Sequence, residues 1–175
     1  MINERFVELL ESKMIKNSIL WALVGKYNPI VHVDRTVYPA HAYPHKTEKI
    51  LYPEFELKGP GKFNVKELRR RFCPEQEKGF SVGGHDMYKY LRIIDLLRYC
   101  INLADILAIQ ARGVKFFRSN FSGEALFAWA SVVQSHGGSL YVPYLVERDG
   151  KVVIVWQLLI IGILPRIPIL CHAKK

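Results

Sequence analysis

Cysteine is scarce in this chain, with 3 among 175 residues. Cys73, Cys100 and Cys171 stand far apart and without CxxC spacing, which excludes a disulfide framework and a zinc-ribbon pattern and suits a reducing compartment. Long polar tracts are missing as well, and hydrophobic residues make up 50% of the chain, so disordered and low-complexity classes are excluded. No apolar run reaches the ~20 residues of a membrane-spanning helix. Residues 152–164 are apolar except for Gln157, but extending the run takes in Pro165, Arg166 and Pro168. An arginine at depth is costly and two prolines interrupt the backbone ladder. The polar start Met1-Ile2-Asn3-Glu4-Arg5 is followed by no apolar core and cleavage site, so a secretory signal is not expected. A cytoplasmic location without a membrane anchor is.

Positive charge is what the chain has in excess. Its 25 Lys and Arg outweigh 16 Asp and Glu, giving +9 with histidine neutral, and the surplus is shared by both halves. Such a surface attracts nucleic acid, anionic lipid or an acidic protein through a field that salt screens. The length suits one domain with its own core.

Periodicity and punctuation give the organisation. Residues 3–16 predict an amphipathic helix carrying Phe6, Leu9, Leu10 and Met14. Residues 19–24 and 30–38 are β-rich runs on either side of a Gly25 to Pro29 loop, a hairpin pattern. In the second run Val31, Val33 and Val37 share a face that Arg35 interrupts, and His32, Asp34, Thr36 and Tyr38 share the other. Residues 39–62 are irregular, with Tyr-Pro pairs that hold the tyrosines extended. Asn64 and Glu67 predict a short capped helix running to Cys73-Pro74. Asp86 begins another, carrying Met87, Tyr90, Leu91, Ile94 and Leu97; Asn102 with Asp105 marks a restart, and Gly113 an end. Ser122 predicts a further helix with Leu126, Trp129, Ala130 and Val133. Residues 140–146 and 151–157 flank Asp149-Gly150, a hairpin whose first strand Pro143 places at an edge or beside a bulge. Helices and strands are segregated, which predicts an α+β fold. It is a single compact domain over residues 1–158, with a helical middle and two antiparallel β-hairpins, followed by an apolar tail over 159–175.

Two clusters carry candidate chemistry. Arg69, Arg70 and Arg71, preceded by Lys62 and Lys66, form one basic group; Arg112, Lys115, Phe116, Phe117 and Arg118 form another. Cations neutralise phosphates and phenyl rings stack on unpaired bases, so the mixture suits nucleic acid, although neither an RNP1 order nor a KH clamp is present. The second cluster, His32, Asp34, His41 and His45, offers imidazole and carboxylate ligands for one divalent metal with a position left for water. Weaker patterns are Ser122, Ser81 and Ser135-His136, none in a nucleophile elbow, and the Gly79 to Gly84 loop before a helix start, which matches no phosphate-binding motif. Glu54 and Glu56 alternate on one strand face, an ordinary exposed edge.

The reading these residues support is a small basic intracellular binding protein that engages nucleic acid and holds no cofactor. The alternatives are a metal-dependent hydrolase or nuclease using the His/Asp cluster, and an interaction module whose apolar tail docks on a protein partner or on a second copy of itself.

Overall fold

A computed structural model describes residues 28–121 and 123–173; the helix expected over 3–16 and the strand expected over 19–24 lie outside them. Among the described residues, eleven strands and four α-helices follow one another with helices clustered in the middle, an α+β domain built on antiparallel pairings.

The Asp149-Gly150 hairpin is the centre of the fold. Strands β8 (Leu140–Arg148) and β9 (Lys151–Leu158) pair along their whole length, with Arg148 opposite Lys151. Asp149 and Gly150 both have positive φ, 50° and 73°, the conformation that a two-residue turn matching the strand twist demands. On its other side β8 pairs first with β7 (Val133–Ser135) and then with β6 (Leu126–Phe127), and β2 (Thr47–Ile50) adds to β7. Pro143 thus lies in a central strand, not an edge. It falls at the break between the β7 and β6 pairings, where Ala128 N–H donates to its carbonyl at 2.9 Å.

Alternation along β8 and β9 divides the core. Leu145 with Ile154 and Trp156 faces one side, against helices α3 (Leu103–Ala111) and α4 (Gly113–Phe121); Val142 with Leu140 and Tyr144 faces the other. On that second side lie helix α2 (Gly84–Ile93) and the C-terminal segment. Strand β8 is covered on both faces, with Val142 and Leu145 buried on opposite sides, and reads as a near-continuous apolar run. Strand β9 is part-buried and packs through Val152, Ile154 and Trp156.

The segment after residue 158 belongs to this domain. Strand β10 (Gly162–Ile163) pairs with β5 (Val82–Gly83), and β11 (Ile169–Cys171) pairs with β4 (Arg69–Arg71). Leu159, Ile163, Ile169 and Leu170 are buried. Gln76, in the one-turn helix α1 (Pro74–Glu77), donates to the carbonyls of Leu164 and Ile167 at 3.2 and 2.8 Å. The boundary expected at 158 is therefore corrected: these apolar residues supply strands to the core, and only Ile160, Ile161 and Leu164 of the large ones are exposed. No helix among the described residues is long and apolar enough to cross a membrane.

Three local expectations are also corrected. Strand β1 (Ile30–His32) pairs with β3 (Lys62–Asn64), so this run of valines joins a strand thirty residues on. Asn64 does cap, its side chain accepting from Lys66 N–H at 3.0 Å, but the turn it starts is a single 3-10 turn, Val65–Glu67. The arginines that follow form strand β4 because Phe63, Val65 and Leu68 point inwards and leave no helical stripe. The helix expected after Ser122 is instead β6, a 3-10 turn (Trp129–Ser131) and β7. Leu126 to Val133 is buried without interruption, and a surface helix would have exposed one side of it.

Gly84 joins the C-terminal segment to α2. A Cβ there would lie 2.6 Å from the Leu159 carbonyl oxygen, and the N–H groups of Gly84 and His85 donate to Ile161 and Leu159. The Gly79 to Gly84 loop therefore presents these amides to backbone carbonyls, not to an anion. Gly84→Ala is expected to destabilise the fold by about 1–3 kcal/mol, the usual range for overpacking, measured as a lower urea midpoint with an unchanged slope.

Candidate functional site

Helix α3 begins on a buried polar cluster assembled from five distant parts of the chain. Asn102 caps it: the Asn102 side chain accepts from Asp105 N–H at 2.9 Å, and the Asp105 carboxylate accepts from Asn102 N–H at 3.0 Å. This reciprocal pair is the capping box that the sequence spacing predicts. Glu56 and Ser131 complete the first turn. Ala104 N–H donates to Glu56 Oε2 at 3.1 Å, Leu103 N–H donates to Ser131 Oγ at 2.7 Å, and Ser131 passes its own hydroxyl proton towards Glu56 Oε1. Tyr43 O–H donates to the same oxygen at 2.7 Å. Every orphan amide of the helix start is satisfied.

Glu56 is 0% exposed, which corrects its expected place on an open strand edge. A 3-10 turn at Pro53–Phe55 rolls the chain inward at this point. Burial pushes the Glu56 carboxyl above its ordinary value, opposed by the donors from Ser131, Tyr43 and Ala104, while the neighbouring Asp105 charge adds to the rise. Burial likewise raises the Tyr43 phenol, with the Glu56 charge reinforcing it.

Arg35 neutralises the cluster. Its guanidinium pairs with Asp105 Oδ1 at 2.5 Å and donates to Asn102 Oδ1 and to the Glu56 carbonyl, each at 3.1 Å. Asn102 Nδ2 in turn donates to the Phe55 carbonyl at 2.7 Å. The arginine that broke the valine pattern is thus the clamp that holds residues 55–60 against α3.

The cluster reaches the surface at His172. Its Nε2 lies 3.0 Å from Asp105 Oδ2, and its ring meets Phe63 edge-on with centroids 4.9 Å apart. Asp105 is ion-paired with Arg35 and only accepts, so Nε2 carries a hydrogen. Neutral imidazole then presents a lone pair at Nδ1, and imidazolium presents an N–H there. Nδ1 makes no hydrogen bond among the described residues. His172 forms part of the wall of an open cleft of about 550 Å³, together with Lys62, Phe63, Glu67, Arg98 and Tyr99. The arrangement can hold an anion or move a proton.

The sequence-predicted residues fall in different places. Phe116 and Phe117 are 2% and 0% exposed in the core, so their expected stacking on bases is corrected: they are the inward stripe of α4. Arg112 lies over the Phe116 ring and donates to the carbonyls of Asn28 and Ile30. Arg118 pairs with Glu147, and Arg70 with Glu124. Lys115, Arg69 and Arg71 are exposed.

The metal cluster does not assemble. His32 is exposed on β1, whereas Asp34 turns back onto Thr36, accepting from its N–H and hydroxyl at 2.8 and 2.6 Å. His41 sits exposed on a 3-10 turn, and His45 lines a separate, largely apolar hollow beside Tyr141 and Trp156. Among the described residues no three His, Cys, Asp or Glu side chains converge as metal ligands. A three-residue strand ends before Asp34, so His32 and Asp34 never share a sheet face.

No protein-family model, curated protein or solved structure matches this chain. The site is therefore read from its own geometry. His172 carried no local motif; the sequence signals of the cluster were the Asn102 and Asp105 spacing and Arg35 among valines.

Glu56→Ala leaves three donors without an acceptor and is expected to cost about 3 kcal/mol or more, seen in urea unfolding. The pH dependence has a definite sign. A carboxyl raised in the folded state contributes stability below its unfolded value of 4.5 and loses it as pH rises through the folded value. Glu56→Gln, which does not titrate, is expected to remove that decline when unfolding is followed from pH 4 upwards.

Proposed function

We propose that this protein binds nucleic acid through the phosphate backbone, on the ribbon formed by residues 62–71. The observation that carries the reading is the division of this short stretch. Phe63, Val65 and Leu68 are buried, while Lys62, Lys66, Arg69, Arg70 and Arg71 are all exposed. Of the three arginines, Arg70 is engaged by Glu124. Anchored from below by apolar side chains, the ribbon holds in place the backbone that carries these cations, which lowers the ordering cost of contacting phosphates.

The arginines of β4 also protect that short strand from pairing with another chain. Phosphate binding adds to this role and does not compete with it. The overall charge of +9 supplies the attractive field. With Phe116 and Phe117 inside the core, the interaction is electrostatic and indifferent to base sequence.

Fluorescence anisotropy against single- and double-stranded DNA and RNA over a range of salt tests this. Binding is expected to weaken linearly in log–log form, and the double variant R69A/R71A to weaken it for every sequence and flatten the slope by about 2. An unchanged affinity and slope in that variant removes the ribbon from the function. Arg118→Ala, which breaks only the pair with Glu147, is the control for loss of a surface charge.

A further inference from the structure

We propose that the cleft beside this ribbon is a binding site for a phosphate monoester, with the His172 imidazolium as a ligand to its oxygens. The inference rests on the nucleic-acid reading only for the source of the ester, the phosphorylated end of a strand.

Four features of the cleft point to this chemistry. His172 is fixed in position rather than free to rotate, since Asp105 holds Nε2 and Phe63 packs on the ring. Asp105 is itself 0% exposed and locked by Arg35 and Asn102 N–H, so the imidazole orientation follows from the core. When the ring is protonated, its Nδ1–H has no acceptor among the described residues. Lys62 stands on the same wall and brings a second positive charge.

Other charged groups surround His172. Arg35 lies behind Asp105 and offsets part of that carboxylate's pull. Arg98 forms part of the wall but is engaged by Asp95. Glu67 is the one carboxylate on the cleft wall among the described residues, and its Oε1 accepts from Asn64 at 3.1 Å. Tyr99, also on the wall, gives its carbonyl to His172 N–H at 2.8 Å. A phosphate monoester matches this set better than a diester does. It carries about −1.5 to −2 charge near neutrality and three acceptor oxygens, enough to engage both the imidazolium and the ammonium.

Binding and proton uptake are then linked. The ester prefers the imidazolium form of His172, so affinity falls as pH rises. Lys62 belongs both to the cleft wall and to the ribbon, so a strand bound on the ribbon can bring its end to His172.

The experiment compares one oligonucleotide with and without a 5′ phosphate, and with a 3′ phosphate, on the full chain at pH 6.5 and 8.5. A phosphorylated end is expected to bind about tenfold tighter at the lower pH, with the advantage shrinking at the higher pH. In His172→Gln, which keeps a donor to Asp105, the advantage is expected to disappear. Glu67→Gln, at an exposed position, is expected to widen it about twofold. Equal binding with and without the end phosphate, or an advantage that survives His172→Gln, overturns the inference and leaves the ribbon reading intact. If no oligonucleotide binds, the ribbon reading falls. Inorganic phosphate then decides the cleft: a shift of the His172 ring resonances on its addition supports the site, and unmoved resonances overturn it.

Discussion

The ion pair between Arg35 and Asp105 joins the irregular segment before β3 to the first turn of α3. Burying two charges costs several kcal/mol each unless further hydrogen bonds meet their remaining atoms. Here they do. The guanidinium reaches Asn102 and the carbonyls of Glu56 and Pro60, while the carboxylate accepts from Asn102 N–H and pairs with His172. Residues 33–61 contain one four-residue strand and two 3-10 turns. Such a segment has few ladder bonds of its own, so its order comes from side chains that bind its carbonyls. Loss of one partner would leave the other charge buried without its counter-ion.

The same cluster explains why the cleft lies where it does. Helix α3 packs against β8 and β9, and its capped start fixes Asp105. The C-terminal strand β11 then lays His172 against that carboxylate, beside the ribbon that begins at Lys62. A rigid imidazole and a row of cations meet because β4 pairs with β11, with Arg69 opposite Cys171. Neither feature would adjoin the other if residues 159–173 hung free of the domain.

Interactions confined to a few residues were legible. Asp149-Gly150 announced its hairpin, Asn102 and Asp105 their capping box, and Gly113 with φ of 79° the end of α3. The α+β class followed from the order of such signals. Segments where local preference and burial conflict were not legible. Leu126 to Val133 carries helical spacing but is enclosed on every side, so strand pairing with β8 prevailed. Arg69 to Arg71 are good helix formers, yet their backbone is taken by β11. Glu56 looked like surface because nothing within four residues of it offers the donors that Tyr43, Ser131 and Ala104 bring.

Charge, scarcity of cysteine and the local turns were determined by sequence alone, because each is a property of composition or of neighbours along the chain. Which cations remain exposed was decided by tertiary structure. Arg35 is drawn into the core by Asp105, Arg112 lies across a phenyl ring, and Arg70 and Arg118 meet glutamates far away in sequence. His172 gained its partner in the same way, across 67 residues. Hydrogen bonds and ion pairs act over about 3 Å, so their pairing depends on which distant segments the core brings together.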